Sequence, residues 1–276
     1  MYNAYFNGSF CSADRISLPL TSRAVFFGDG IYDACLARNG VPFMLKEHTE
    51  RFFENASLLG IPCPISRCEL ESVIKRLSAK SGCTFLYLQL SRAAAARTHS
   101  ALRSGGADIF VTASPIAEPN AERTLRLITQ PDKRHSMCHI KTICLLPAVL
   151  AATNAELAEC DEAVLIRRGG VTEGSHSNVH IIRGGVLITH PLGKHVLPGI
   201  SRAHLLSVAK NTGTRTVERP FTKNELYQAD EVLITSTTRI AQRAREMDGI
   251  PLPLPPDGTG LRLIRHMHSE FITSTV

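Results

Sequence analysis

Lys141 and Glu173 are the two residues of this sequence whose type and setting suggest covalent cofactor chemistry. Lys141 ends a short segment of β-type composition, and an Ala/Leu-rich run of helical composition follows at 145–159. Burial disfavours the charged ammonium form, so an apolar setting lowers the pKa of a lysine and allows Schiff-base formation. Glu173 lies in a Thr-Glu-Gly-Ser loop after a predicted strand at 162–168. A carboxylate held among small side chains can pair with the pyridinium nitrogen of a cofactor.

Three sequence blocks carry a resemblance to one enzyme family: IKT at 140–142, TEGSHSN at 172–178 and VLPGISR at 196–202. In order and spacing they resemble the fold-type IV pyridoxal-phosphate enzymes, and the resemblance extends to about residue 240. This family includes D-amino acid aminotransferases, branched-chain aminotransferases and aminodeoxychorismate lyases. The resemblance implies an α/β (α+β) fold of two domains with pyridoxal 5'-phosphate between them. It also implies that Lys141 is the catalytic lysine that holds the cofactor and that Glu173 pairs with its ring nitrogen.

The remaining cofactor contacts fall into a phosphate site and a ring contact. Pro198-Gly199 precedes a predicted helix, so the backbone amides of Ile200 and Ser201 lie at its positive end, which favours anions. By resemblance, Arg51 in the run Glu-His-Thr-Glu-Arg and the hydroxyls after the strand at 231–235 bind the phosphate, and Leu197 packs on the ring. The expected cofactor-binding residues are Arg51, Lys141, Glu173, Leu197, Ile200, Ser201, Ser236 and Thr237.

Substrate recognition is expected from Tyr32, Arg97 and His99. Arg97 and His99 match the Arg-x-His pair of D-amino acid aminotransferases, which belongs to a trap for the substrate α-carboxylate, and Tyr32 matches the tyrosine that completes it. Arginine suits this task because it grips a carboxylate through two parallel hydrogen bonds. The sequence departs from the family after His99, where Ser-Ala-Leu replaces the usual x-Phe-Pro, and again at 256–260.

The elements that must position these residues indicate two α/β domains. The stretch 114–120 carries two prolines between strand-like segments, which favours a linker. We therefore expect an N-terminal domain at 1–114, a linker at 115–121 and a C-terminal domain at 122–276 that carries the cofactor lysine.

Helices are predicted where apolar periodicity meets end signals. One is expected at 46–59 before Gly60, and another begins at Ser66, where Glu69 completes a capping box. A third is expected at 200–210 and a final one at 261–271.

Composition excludes several other functions. The formal charge is +6, but the basic residues are scattered, so nucleic-acid binding is not expected. No apolar run is long enough to cross a membrane, and no Cys-x-x-Cys pair or secretory leader is present, which favours a cytoplasmic enzyme with reduced thiols. His135, Cys138 and His139 lack a second ligand pair at the usual spacing, so no metal is expected.

The sequence thus predicts pyridoxal-phosphate-dependent transfer of the amino group of a D-amino acid, of the D-alanine type, to 2-oxoglutarate, giving a 2-oxo acid and D-glutamate. Aminodeoxychorismate lyase and L-branched-chain aminotransferase remain alternatives of the same fold. A non-catalytic pyridoxal-phosphate-binding protein is the alternative of another class. By resemblance, the loop that carries Arg97 and His99 (the Arg97 loop) reaches the active site of the neighbouring subunit, so a homodimer with shared active sites is expected.

Overall fold

The computed structural model describes residues 3–102 and 105–275. The chain forms two compact units, each built around one β-sheet. Unit 1 comprises Met1–Glu118, Ile140–Cys144 and Ile272–Val276, and unit 2 comprises Pro119–His139 and Leu145–Phe271. The predicted linker at 115–121 therefore overlaps the boundary after Glu118, although its first two residues lie in a strand that runs to Ile116.

Unit 1 contains a six-stranded antiparallel sheet in the order β2-β1-β6-β5-β3-β4. Its strands are β1 (Ala4–Phe6), β2 (Ser9–Cys11), β3 (Gly30–Arg38), β4 (Val41–Pro42), β5 (Cys83–Arg92) and β6 (Ala107–Ile116). The sheet's long central strands bury alternate apolar residues such as Leu86, Leu88 and Leu90, the pattern of a sheet with one face in a core.

The helices of unit 1 are α1 (Arg23–Phe27), α2 (Leu45–Leu58) and α3 (Arg67–Leu77), with a short 3-10 turn at Ala13–Arg15. The predicted capping box of α3 is confirmed: the Ser66 hydroxyl accepts from the Glu69 amide, and the Glu69 carboxylate accepts from the Ser66 amide. Helix α2 differs from its predicted bounds by one residue at each end. Its buried Phe52 and the buried Leu70 of α3 join the same core as the sheet.

The segment Ile140–Cys144, which contains Lys141, belongs to unit 1 rather than to the unit formed by the residues around it. Thr142 forms an antiparallel bridge with Ile31 of β3. The Tyr32 amide donates to the Lys141 carbonyl at 2.9 Å, and the Ile143 amide donates to the Gly30 carbonyl at 3.1 Å. This placement differs from the prediction that Lys141 ends a strand of the C-terminal domain, because its backbone pairs with a strand far away in sequence.

Unit 2 contains a nine-stranded mixed sheet in which eight strands follow the order β12-β11-β10-β13-β14-β7-β8-β9 and β15 pairs with β14. The strands are β7 (Thr124–Pro131), β8 (Glu162–Arg167), β9 (Gly170–Gly174), β10 (Asn178–Arg183), β11 (Val186–Thr189), β12 (Thr216–Glu218), β13 (Glu231–Ser236), β14 (Ile240–Met247) and β15 (Ile250–Pro251). Strands β14, β7 and β8 run parallel to one another, and β10 and β11 form an antiparallel hairpin that turns at Gly184 and Gly185.

The helices of unit 2 are α4 (Leu146–Leu157), α5 (Ile200–Asn211) and α6 (Lys223–Tyr227), and α7 (Thr259–Ser274) begins there. Helix α7 starts two residues earlier than predicted because a buried carboxylate holds its N-terminus. Glu231 accepts from the Gly260 amide at 2.7 Å and from the Leu261 amide at 3.1 Å. The negative charge thereby satisfies amides that have no partner within the helix.

No helix within residues 3–102 and 105–275 is long and apolar enough to cross a membrane. The same residues contain no group of three or more His, Cys, Asp or Glu side chains that could hold a metal ion.

Candidate active site

Lys141 lies against an aromatic side chain of unit 1. Its Nζ is 4.2 Å from the centre of the Tyr32 ring, and Tyr32 stacks on Tyr87 with ring centres 5.6 Å apart. The Tyr87 hydroxyl donates to Gln89 at 2.8 Å, and burial raises the pKa of Tyr87 to about 12. The structure thus brings together Lys141 and Tyr32, two of the predicted site residues. A second tyrosine, Tyr87, stacks on the Tyr32 ring.

Arg51 forms part of a buried charged cluster with Asp33 and His48. Its Nε donates to Asp33 Oδ2 and its Nη2 to Asp33 Oδ1, both at 2.8 Å, while His48 Nδ1 lies 2.8 Å from Asp33 Oδ1. Burial alone would raise the pKa of Asp33, but the Arg51 charge and the His48 hydrogen bond hold it well below its usual value. The bidentate pair fixes the arginine predicted to bind phosphate, and it leaves Asp33, the neighbour of Tyr32, ionised.

Arg97 and His99 are exposed residues on the connection between β5 and β6. Both pack on Phe27 of helix α1: the Arg97 guanidinium carbon is 5.5 Å from the ring centre, and the His99 ring centre is 5.4 Å away. Arg97 also lies 5.7 Å from the centre of the Phe26 ring. A guanidinium and an imidazole that pack on the same aromatic ring can together bind a carboxylate.

Glu173, the last residue but one of β9, is buried and held by hydrogen bonds in unit 2. Its Oε2 accepts from Asn178 Nδ2 at 3.0 Å and from the Leu197 amide at 2.8 Å, and its Oε1 accepts from Arg134. Three donors of this kind stabilise the ionised carboxylate. The geometry therefore fixes both oxygens of Glu173 and brings it to the predicted ring contact, Leu197.

Arg134 is itself anchored by a second carboxylate. Its Nε and Nη2 donate to the two oxygens of Asp132 at 2.9 and 3.0 Å, and Nη2 also donates to the His195 carbonyl at 3.1 Å. Burial would lower the pKa of Arg134, but hydrogen bonding to Asp132 and the charge of Glu173 raise it above its usual value. Arg134 is therefore a permanent cation shared by two carboxylates.

Two glycines permit the close approach of the segments around Glu173. A Cβ at Gly174 would lie 2.1 Å from Ser177 Oγ, and a Cβ at Gly199 would lie 2.0 Å from Asn178 Oδ1. Both positions thus exclude any larger residue without a shift of the neighbouring side chain. Gly199 is the N-cap of α5 and makes no side-chain cap bond, so the helix begins with the amides of Ile200 and Ser201, which have no partner within the helix.

Ser236 ends β13, and Thr237 begins the turn that leads into β14. The turn is fixed by Arg239, whose Nη1 donates to Glu162 Oε2 at 2.7 Å. His176, in the loop after Glu173, lies 2.9 Å from the same Glu162 oxygen. A buried carboxylate thus joins the predicted hydroxyl turn to the predicted Glu173 loop.

Several of these residues were not singled out from the sequence. Asp33, Arg134 and Asn178 form hydrogen bonds with predicted site residues, and His48 forms one with Asp33. Arg134 and its partner Asp132 lie outside the three sequence blocks, and nothing in their spacing distinguishes them from exposed charges. Asn178 could have been found, because it closes the TEGSHSN block and an asparagine side chain commonly fixes a turn by hydrogen bonding.

The residues present fit pyridoxal 5'-phosphate. Glu173 offers an ionised carboxylate whose oxygens are fixed by donors, which suits a pyridinium nitrogen. The glycine-led start of α5 suits a phosphate. Lys141 is half-buried on an aromatic ring, a position from which an amine can form a covalent bond with a carbonyl.

Comparison with known proteins agrees with this fit. The family model for amino-transferase class IV matches residues 30–247. A D-alanine aminotransferase from Bacillus licheniformis is 36% identical over 250 residues, covering 88% of each chain. A putative branched-chain-amino-acid aminotransferase from Methanocaldococcus jannaschii is 32% identical over 252 residues, covering 89% of this chain and 88% of that one.

A solved structure shows the same fold with a cofactor derivative bound. The T.th. branched-chain amino acid aminotransferase, complexed with N-(5'-phosphopyridoxyl)-L-glutamate, superposes with a TM-score of 0.87 at 26% identity, covering 100% of this chain and 95% of that one. The predicted α/β fold-type IV architecture is thereby confirmed. From the family match and the fit of its residues, the chain is a member of the class IV aminotransferases, whose cofactor is pyridoxal 5'-phosphate.

Proposed function

We propose that this aminotransferase acts on D-amino acids, with D-alanine as the type substrate, and uses 2-oxoglutarate as the amino acceptor. The observation that carries the proposal is the pairing of Arg97 and His99 on the Phe27 ring. It gives one loop two groups that can bind an α-carboxylate together. The 36% identity with a D-alanine aminotransferase supports the same substrate class.

When bound, pyridoxal 5'-phosphate supplies an electron sink for the electrons released at the substrate Cα. In this proposal the ionised Glu173 keeps a proton on the ring nitrogen, because its own oxygens are held in place by Asn178 and the Leu197 amide. Lys141 would move the proton between the substrate Cα and the C4′ carbon of the cofactor, first as a base and then as an acid. Tyr32 lies 4.2 Å from the lysine Nζ and limits the positions that this amine can take.

Phosphate binding in the proposal uses Arg51, the hydroxyls of Ser236 and Thr237, and the first amides of α5. Arg51 is suited to this role because its bidentate pair with Asp33 fixes the guanidinium plane. A fixed donor costs less entropy on binding than a mobile one. The α5 amides add the positive end of a helix.

We also propose that the active enzyme is a homodimer in which the Arg97 loop serves the partner's site. Helix α4 supports an association surface, because it exposes four large apolar side chains: Leu146, Val149, Leu150 and Leu157. Contiguous exposed apolar residues of this kind commonly mark protein interfaces.

An L-branched-chain aminotransferase is the second candidate. It is favoured by the 32% identical relative from Methanocaldococcus jannaschii and by the T.th. structure. Its substrates carry the same α-amino and α-carboxylate groups in the opposite configuration and have larger, branched side chains, so stereochemical preference and side-chain size separate the two proposals.

The deciding experiment is a panel of D- and L-amino acids with 2-oxoglutarate, following 2-oxo acid formation and resolving the glutamate product by chiral chromatography. We expect kcat/KM for D-alanine to exceed that for L-alanine, L-valine and L-leucine by about a hundredfold or more, with D-glutamate as product. A preference for L-leucine or L-valine with L-glutamate formed would establish the branched-chain alternative instead.

A further inference from the structure

A buried arginine, Arg23, binds the backbone of the connection that carries Arg97 and His99. Its Nη1 donates to the Thr98 carbonyl at 2.7 Å and to the Ser100 carbonyl at 3.5 Å, and its Nη2 donates to the His99 carbonyl at 3.1 Å. One guanidinium therefore satisfies three successive carbonyl oxygens.

The Nε edge of the Arg23 guanidinium pairs with Asp29, a carboxylate that Arg23 shares with Arg92. Arg23 Nε donates to Asp29 Oδ2 at 2.7 Å, and Arg92 Nε donates to Asp29 Oδ1 at 3.3 Å. Arg92 also donates to the carbonyls of Leu59 and Gly60. The contact on the loop is thus linked through Asp29 to the end of β5 and to the end of helix α2.

An anchor limits the conformations of this long connection. Residues 93–106 separate β5 from β6, whereas hairpin loops have about two to five residues. Thr98, His99 and Ser100 are exposed, so their carbonyls could also bind water, and the hydrogen bonds from Arg23 select one backbone conformation at these positions. Arginine suits the task because its planar fork carries five donors, while a lysine ammonium offers three donors at a single point.

Helix α1 provides both the anchor and the surface on which the substrate-binding side chains pack. The Arg23 guanidinium carbon is 4.8 Å from the centre of the Phe27 ring. The same ring contacts Arg97 and His99. A shift of Arg23 therefore moves the loop backbone and the ring together.

We propose that Arg23 is a positioning residue that holds Arg97 and His99 in the conformation that binds the substrate carboxylate. The inference rests on the proposed function, since it assigns to Arg23 a role in the site that Arg97 and His99 form. Arg23 is 3% exposed, so it acts through the loop and not by contact with substrate.

The first test compares Arg23→Lys with Arg15→Lys, an exposed arginine of the same unit that serves as the control. Lysine keeps the charge opposite Asp29 but cannot reach three carbonyls. We expect KM for D-alanine to rise about tenfold or more in Arg23→Lys, as for the loss of hydrogen bonds to a charged group, with a smaller change in kcat and no change in cofactor content. Arg15→Lys should match the wild type. Equal losses in kcat and cofactor content with KM unchanged would overturn the proposal.

The second test is a double-mutant cycle with Arg97→Ala. If Arg23 acts through Arg97, adding Arg23→Lys to Arg97→Ala should raise KM little further, because the group it positions is already missing. Full additivity of the two changes would refute the positioning role. If Arg23→Lys fails to accumulate as folded protein, Asp29→Asn replaces it, since it weakens the same anchor and should raise KM in the same direction.

Hydrogen exchange separates this inference from the proposed function. The Ala95 amide donates to the Thr21 carbonyl and the Thr98 amide to the Ala96 carbonyl. Both amides should exchange about tenfold faster or more in Arg23→Lys. Faster exchange in Arg23→Lys together with an unchanged KM in Arg97→Ala would leave the anchor standing and refute the carboxylate-binding role of the loop. Unchanged exchange in Arg23→Lys would refute the anchor itself.

Discussion

Replacing Glu173 with Gln should separate the chemical role of this carboxylate from its structural one. The amide oxygen can take the place of Oε2, which accepts from Asn178 and the Leu197 amide. The amide nitrogen then takes the place of Oε1 and presents a donor to Arg134, which is also a donor. The substitution therefore keeps two hydrogen bonds and loses one charge-assisted bond.

The stability cost of Glu173→Gln follows from that single loss. A hydrogen bond to a charged group contributes about 1.5–3 kcal/mol. Arg134 keeps its bidentate pair with Asp132, so the cost should stay in this range and not reach that of an unpaired buried charge. We expect a lower melting temperature but a folded enzyme that still binds its cofactor.

The catalytic cost should be larger. Without the negative charge, the ring nitrogen loses the group that keeps it protonated, and the stabilisation of the developing carbanion is reduced mainly in the transition state. Removing one preorganised electrostatic group commonly lowers kcat by about 10²–10³-fold. The assay is kcat per bound cofactor, measured alongside the thermal melt.

Glu231→Gln provides a matched control. Glu231 is also buried in unit 2, accepts from two backbone amides and lies 3.4 Å from an arginine Nη1, that of Arg243. It should lose comparable stability and keep its kcat per bound cofactor. Near wild-type turnover in Glu173→Gln, or an equal loss of turnover in Glu231→Gln, would refute the reasoning.

Three further predictions concern the lysine, the dimer and the response to pH. Borohydride treatment of the yellow enzyme should fix the cofactor to the peptide containing Lys141, and a label on any other lysine would disprove the assignment. When Lys141→Ala and Arg97→Ala chains are co-expressed, roughly a quarter of all active sites should be intact, because about half of the dimers are mixed and each mixed dimer has one intact site. Activity no higher than that of the two parent variants would contradict shared sites. Burial lowers the pKa of His180 from 6.5 to about 3. Between these pH values the folded state therefore binds fewer protons than the unfolded state. The free energy of unfolding should then fall by up to about 1.4 kcal/mol per pH unit as the pH drops from 6.5 towards 3. His180→Gln should reduce that slope in urea titrations, the exposed His266→Gln should not, and equal slopes in all three proteins would contradict the prediction.

The sequence predicted the local parts of this structure well. The capping box at Ser66 and the glycine before α5 are short-range signals whose partners lie within a few residues, and both elements start where expected. Glu173 and Leu197 come from two of the family blocks, and the structure joins them by a hydrogen bond from the Leu197 amide to the Glu173 carboxylate.

Contacts between residues that are distant in the sequence could not be predicted from local signals. The pair of Arg134 with Glu173 joins residues from different parts of the chain, and single charged residues carry no periodic signal. Helix α1 has five residues between Ser22 and Gly28, too few for an apolar periodicity to be recognised. The contact of Arg23 with Thr98 joins residues 75 positions apart, so it could not be predicted either. The start of α7 was also missed, because its N-terminus depends on Glu231 of a strand that is distant in sequence.

The pairing of Lys141 with β3 has a consequence for folding. The segment that carries the lysine reaches Tyr32 across about 110 positions of chain. Contacts of such separation close late, after local helices and hairpins have formed. During refolding, the backbone amide signal in circular dichroism should therefore recover before the absorbance of bound cofactor, so a chain with native secondary structure can still lack the geometry that fixes its lysine.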